Sequence, residues 1–312
     1  MRQAAEERRT VCGTGGALTL IGRFANMKWN RYERGRRAQV VKPGVLVISH
    51  GSRVSDWVSH VDRAAEAVRE CLNMAADSGL VPIEAAFLEL VGGRLIQDGI
   101  DRLEAAGVTD MLAIPLFVSS GSKHVDEIGW ALGAYDKIAV ETNLERFRMR
   151  AALTYGKPVD VDPEIVEVLL DRLRELSVVP GSESLLLIGH GSEHAGLYEA
   201  WRRGLRELAA EVRTRGGYAD AEIAMLRPDS AADAVGRLRA RRPGCEVLAV
   251  PVFLGEGYFT TEVVPKRLAN LGCRYRGRTL MPHPLIAEWI ARQAEDWLLR
   301  FSGFRKSCSF IE

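Results

Sequence analysis

The stretch Val45–Arg53 reads VLVISHGSR, and Leu185–Glu193 reads LLLIGHGSE. Each is a continuous apolar run without alternation, the pattern of a strand covered on both faces. Each run ends in a histidine followed by a Gly-Ser turn. In open parallel sheets ligands bind outside the carboxyl ends of the strands, so the position of the histidine matters as much as its type.

The repetition continues outward. Ala86–Leu90 (AFLEL) matches Ala224–Pro228 (AMLRP), and Ile114–Gly121 (IPLFVSSG) matches Val250–Gly257 (VPVFLGEG), at offsets of 140, 138 and 136 from the first motif onward. Three matches in the same order at a nearly constant offset mark a tandem duplication. A weaker match of Pro163-Glu164-Ile165 with Pro284-Leu285-Ile286 has an offset of 121, so the first unit carries about fifteen extra residues, placed within Gly129–Arg150. Two long copies exclude a solenoid.

Strands are expected at Val45–Ser49, Ile83–Leu88, Met111–Phe117 and Ala151–Tyr155. Their counterparts are Leu185–Ile188, Ala221–Met225, Val247–Phe253 and Arg278–Met281. Between them, apolar residues recur at three- and four-residue spacing, as in Val58, Val61, Ala65, Val68 and Leu72, which is helical. Strict alternation of strand and helix gives an α/β fold: two tandem units, each a small parallel sheet flanked by helices. The units span 44–178 and 179–301, after a basic extension at 1–43 and before a tail at 302–312.

Composition sets the outer bounds. At 312 residues and 47% hydrophobic, the chain can bury a sizeable core. No apolar stretch approaches the ~20 residues of a membrane span, so no membrane partner is expected. Residues 1–44 hold ten Lys/Arg against three Glu, leaving a net charge of −6 for the remainder. This arm lacks the helical stripe or aromatic ladder of a nucleic-acid binder, and it is read as disordered, or as sequence ahead of a real start near Met27, with no nucleic-acid partner. Arg8-Arg9 before VCGTGGALTLIG lacks the cleavage site of a twin-arginine signal. Five scattered cysteines without metal-type spacing fit reduced thiols in a cytoplasm.

Three residues of the first unit converge on one sheet edge: His50 after strand one, Glu89 after strand two and His124 after strand three. Two imidazoles and a carboxylate suit a divalent first-row metal with open coordination positions. In the second unit His190 is kept, but Arg227 stands for Glu89 and Thr260 for His124. A cation cannot ligate a metal. Glu256, Tyr258 and Glu262 could supply oxygen atoms without completing a trio. His283 is left open between a substrate contact and a loop role.

HGSR after an apolar strand, the Phe-Leu-Glu-Leu strand end, the Pro-Leu-Phe strand with Gly and His downstream, and PHPLIAEW at Pro282–Trp289 together resemble the class II tetrapyrrole chelatases. The resemblance is to the sirohydrochlorin cobalt or iron chelatase family, over about residues 44–300, in the long form that fuses two units face to face. It implies insertion of Co²⁺ or Fe²⁺, with Ni²⁺ not distinguished, into a sirohydrochlorin-type tetrapyrrole in cobalamin or sirohaem biosynthesis. It also implies no organic cofactor. His50 and His124 match the family's active-site histidines, and Glu89 matches its acidic metal-contacting position. Metal would lie at His50, Glu89 and His124, and one histidine would accept a pyrrole proton. Arg53, Lys123 and His190, with Arg94, are the candidate contacts for the carboxylate-rich substrate. Internal duplication removes the need for a homodimer. The competing readings are a metal-delivery protein and a two-lobed small-ligand binding protein.

Overall fold

The computed structural model describes residues 41–53, 55–75 and 80–301. The expected basic extension, apart from its last residues, and the C-terminal tail lie outside the described residues.

The first half of the chain runs β1 (Pro43–Ser49), α1 (Ser55–Ala75), β2 (Ile83–Phe87), α2 (Ile96–Ala105), β3 (Asp110–Pro115), α3 (Lys123–Ala131), β4 (Ala152–Tyr155) and α4 (Pro163–Arg174). The second runs β5 (Glu183–Gly191), α5 (Ala195–Gly216), β6 (Asp220–Arg227), α6 (Ala231–Arg241) and β7 (Glu246–Pro251). A π-helical turn at Phe259–Val263 then opens into α7 (Val264–Leu268), followed by β8 (Cys273–Tyr275) and α8 (Pro284–Leu298). The last strand lies at Cys273–Tyr275 instead of the expected Arg278–Met281. There Leu280 and Met281 are buried and donate backbone hydrogen bonds to Phe253 and Leu254 without extending a ladder.

The eight strands form two four-stranded parallel sheets, ordered β2-β1-β3-β4 and β6-β5-β7-β8. β1 is buried along its whole length, as is the run Leu185–Ile188 in β5. Full burial of these central strands explains why their sequences show no alternation. Ile48 pairs with both Ala86 and Pro115, so β1, β2 and β3 end level with one another. Chain order reverses between β1 and β3, which makes their carboxyl ends the switch point of the first sheet.

The extra length of the first unit is the irregular stretch 132–151 between α3 and β4, where 269–272 suffice between α7 and β8. The halves are joined by exchanged helices. α4 packs on α5 and β7 of the second half, and α8 packs on α1 and β3 of the first. Arg172 of α4 donates to the carbonyls of Thr279 (2.9 Å) and Pro282 (2.8 Å), while Trp297 of α8 donates to Thr154 (3.0 Å). One apolar core therefore runs through both halves. Among the described residues no helix is long and apolar enough to cross a membrane. Cys71 is buried in the core, and Cys245 and Cys273 are free thiols.

Candidate active site

His50 and His190 each leave the end of a central strand and enter a tight glycine turn. Gly51 has φ +92° and Gly191 φ +77°. A Cβ on Gly51 would lie 2.0 Å from the carbonyl oxygen of Glu89, and one on Gly191 would lie 2.3 Å from that of Arg227. The glycine thus does two things that an L side chain opposes: it takes a left-handed conformation and lets the end of the neighbouring strand press against the histidine. That contact places Glu89 beside His50 and Arg227 beside His190.

In the first unit the imidazoles of His50 and His124 meet edge to face, centroids 4.9 Å apart at 82°. Phe117 flanks both, at 6.4 Å and 5.7 Å. The Nδ1 of His50 lies 3.2 Å from the Gly51 carbonyl and 3.6 Å from a carboxylate oxygen of Glu89. The Nδ1 of His124 lies 2.6 Å from the Glu127 carboxylate. An oxygen acceptor at Nδ1 fixes the proton there, so each neutral ring keeps the lone pair on Nε2, the atom that can ligate a metal or take a proton.

Glu127, the carboxylate that meets His124, is a residue that sequence reasoning did not single out. Its side chain is 9% exposed and also accepts from the Thr142 hydroxyl at 2.6 Å. Burial works to raise its pKa, but the hydrogen bonds from His124 and Thr142 and the charge of Lys123 outweigh that, so it falls below the usual carboxylate range. The available signal was its place three residues after His124, on the same helical face.

The second unit repeats this geometry with different chemistry. His190 meets Phe259 at 4.9 Å and 82°, and Phe253 stacks on Phe259 at 6.1 Å. Phe259, not Thr260, therefore stands where His124 stands. A π turn at Phe259–Val263 takes the place of the α-helical start found at Lys123, and Thr260 is buried against Gly257. Burial, then the charges of Arg227 and His124, hold the pKa of His190 below the usual imidazole value. His50, His124 and His190 line one cavity, so the two histidine-bearing edges face each other.

Between them lies a cavity of about 430 Å³. Its first-unit wall holds His50, Phe117, Lys123 and His124; its second-unit wall holds His190, His194, Trp201, Arg227, Phe253 and Phe259. Several sequence candidates fall outside this lining, among them Glu89, whose side chain is half exposed beside His50, and Arg53, which is exposed. Arg94 is committed elsewhere, holding Asp62 at 2.9 Å and lying over Phe87. Glu256, Tyr258 and Glu262 do not line the cavity either. His283 caps α8, accepting from the Leu285 amide (3.3 Å) and contacting Asp171 (3.1 Å), which decides for its structural role. Among the described residues no three His, Cys, Asp or Glu side chains are gathered into a ready metal cage. The paired imidazoles form an open edge instead.

The CbiX family model matches residues 44–176 and again 184–297. The chain belongs to the CbiX family, with two units. Among its relatives is a sirohydrochlorin ferrochelatase of Priestia megaterium, 27% identical over 226 residues, 70% of this chain and 76% of that protein. A sirohydrochlorin cobaltochelatase of Methanopyrus kandleri is 25% identical over 142 residues, which are 42% of this chain and 94% of that protein. A single CbiX unit thus spans nearly all of the shorter relative. The structure titled SirB from Bacillus subtilis with Fe³⁺ shares the fold, with a TM-score of 0.63 at 19% identity, over 85% of this chain and 100% of that one.

Proposed function

We propose that the protein inserts a divalent metal, cobalt or iron, into sirohydrochlorin, serving cobalamin or sirohaem formation. The observation that carries this reading is the His50–His124 pair, 4.9 Å apart on the wall of a cavity of about 430 Å³. Membership of the CbiX family and the names of the ferrochelatase and cobaltochelatase relatives support it.

In this mechanism Nε2 of His50 and Nε2 of His124 hold the incoming ion, and Glu89, which lies on the Nδ1 side of His50, becomes a third ligand by swinging its half-exposed side chain towards Nε2. An ion held by two neutral imidazoles and one exposed carboxylate keeps open positions for pyrrole nitrogens, and it is not gripped as in a closed structural site. Insertion releases two pyrrole protons for each ion gained. A histidine that has given up the metal presents the same Nε2 lone pair to one of those protons.

The second-unit wall receives the macrocycle. Phe253, Phe259 and Trp201 offer apolar and aromatic surface to its face, His190 remains a neutral contact, and Arg227 and Lys123 attract its carboxylates from opposite walls. Arg53, outside the lining, serves only a carboxylate reaching past the rim. The test is metal insertion followed by absorbance, with Co²⁺, Fe²⁺ and Ni²⁺ in competition. No rate above the spontaneous reaction overturns the enzymatic reading in favour of a metal-delivery or ligand-binding protein.

A further inference from the structure

Resting on that reading, we infer that Glu127 is a positioning residue for His124, and that Thr142, on the stretch 132–151 found only in the first unit, fixes the Glu127 carboxylate. Glu127 takes its two hydrogen bonds through different oxygens: Oε1 lies 2.6 Å from His124 Nδ1, and Oε2 accepts from Thr142 at 2.6 Å. Thr142 is itself tied down, its hydroxyl accepting from the Leu144 amide at 3.1 Å. The preceding Asp126 holds the same stretch through the Ala139 amide at 2.5 Å. A buried carboxylate clamped in this way sets both the ring plane of His124 and its tautomer, leaving Nε2 to the cavity.

The second unit provides an internal comparison. Three residues after Phe259, which takes the place of His124, the chain again has a glutamate, Glu262. There the ring carries no nitrogen to hold, the loop after the helix is reduced to 269–272, and Glu262 is 54% exposed and paired with Lys266 at 3.3 Å. The same position in sequence is buried where it faces an imidazole and solvent-facing where it does not. Helical spacing alone therefore does not account for the His124–Glu127 contact.

The test uses the full chain and Co²⁺ alone, without tetrapyrrole. Co²⁺ affinity is measured by titration for wild type, Glu127→Ala, Glu127→Gln, Thr142→Val and His124→Ala, and the His124 tautomer is read from its ¹⁵N shifts. Loss of the orienting carboxylate is expected to weaken binding about 10–100-fold in Glu127→Ala and to mix the two neutral tautomers of His124. Glu127→Gln, whose amide oxygen still accepts from Nδ1–H, is expected to restore most of the affinity and the single tautomer. A merely structural role would not predict that recovery. Thr142→Val, a nearly isosteric change, carries the test if Glu127→Ala fails to fold, with a smaller loss of affinity. Wild-type affinity and an unchanged tautomer in Glu127→Ala or Thr142→Val, while His124→Ala loses Co²⁺, would overturn the inference. If His124→Ala keeps full affinity, the metal site is wrong, and the tautomer readout still decides whether Glu127 positions the ring.

Discussion

His190 meets Phe259 at the same centroid distance and angle, 4.9 Å and 82°, at which His50 meets His124. The duplicated fold has kept the geometry of the site and exchanged its chemistry, since a phenyl ring can neither ligate a metal nor take a proton. His190→Ala should accordingly reduce metal insertion at most several-fold, whereas His50→Ala should lose about 100-fold or more, the range for a group acting directly on the reacting atoms. Steady-state insertion rates of the two variants check this. Equal losses would mean that both units work.

Arg227 occupies the position that Glu89 holds in the first unit, and it lines the cavity 3.9 Å from Glu193. A cation there suits a substrate carboxylate and repels a metal ion. Arg227→Met is expected to raise KM for the tetrapyrrole about tenfold, the equivalent of one charge-assisted hydrogen bond, with Co²⁺ affinity unchanged. Weakened Co²⁺ binding with an unaltered KM would remove Arg227 from the substrate wall.

The turn that aims His50 depends on Gly51. Gly51→Ala places a methyl group 2.0 Å from the Glu89 carbonyl at φ +92°, so the strand end must move. A destabilisation of about 2–4 kcal/mol is expected, combining backbone strain with a steric clash, and urea unfolding measures it. Stability within about 0.5 kcal/mol of wild type would show that this close approach is relieved without cost.

Asp160 is partly buried, accepting from the Ser120 amide at 3.1 Å. Burial raises its pKa from 3.8 to about 6, helped by the charges of Asp162 and Glu207 and opposed by the Ser120 hydrogen bonds. The folded value lies above the unfolded one, so ionisation costs stability. That cost is absent below about pH 4 and fully present above about pH 6. Asp160→Asn keeps an oxygen for the Ser120 amide and is expected to stabilise the fold by on the order of 2–3 kcal/mol at pH 7.5, the gain vanishing near pH 4. Thermal melts across that range check the sign; a variant less stable than wild type at pH 7.5 would show that the charge is compensated.

Much of this molecule was legible because its signals are local. The unbroken apolar runs of β1 and β5 reported burial on both faces, and the repeated HGS turns reported the same approach of two strand ends. His50 and His124 could be brought together because parallel strands end level and topology alone sets their common edge. What escaped depended on packing across the chain. Nothing in the spacing of His124 and Glu127 says that Thr142, fifteen residues further on, returns to bury that carboxylate. That Phe259 rather than Thr260 meets His190 goes with a π turn at Phe259–Val263, which leaves no mark in the aligned motifs. The misplaced last strand has a related cause: Leu280 and Met281 are as apolar as a strand but spend their burial on the loop leading into α8.

The central claim is that His50 and His124 together deliver the metal. It is tested most directly by anaerobic insertion of Co²⁺ into sirohydrochlorin, followed by absorbance, with wild type, His50→Ala and His124→Ala compared at equal, verified folding. The expected result is a wild-type rate well above the spontaneous one, with both variants falling to that background. Insertion at the wild-type rate by either variant would contradict it.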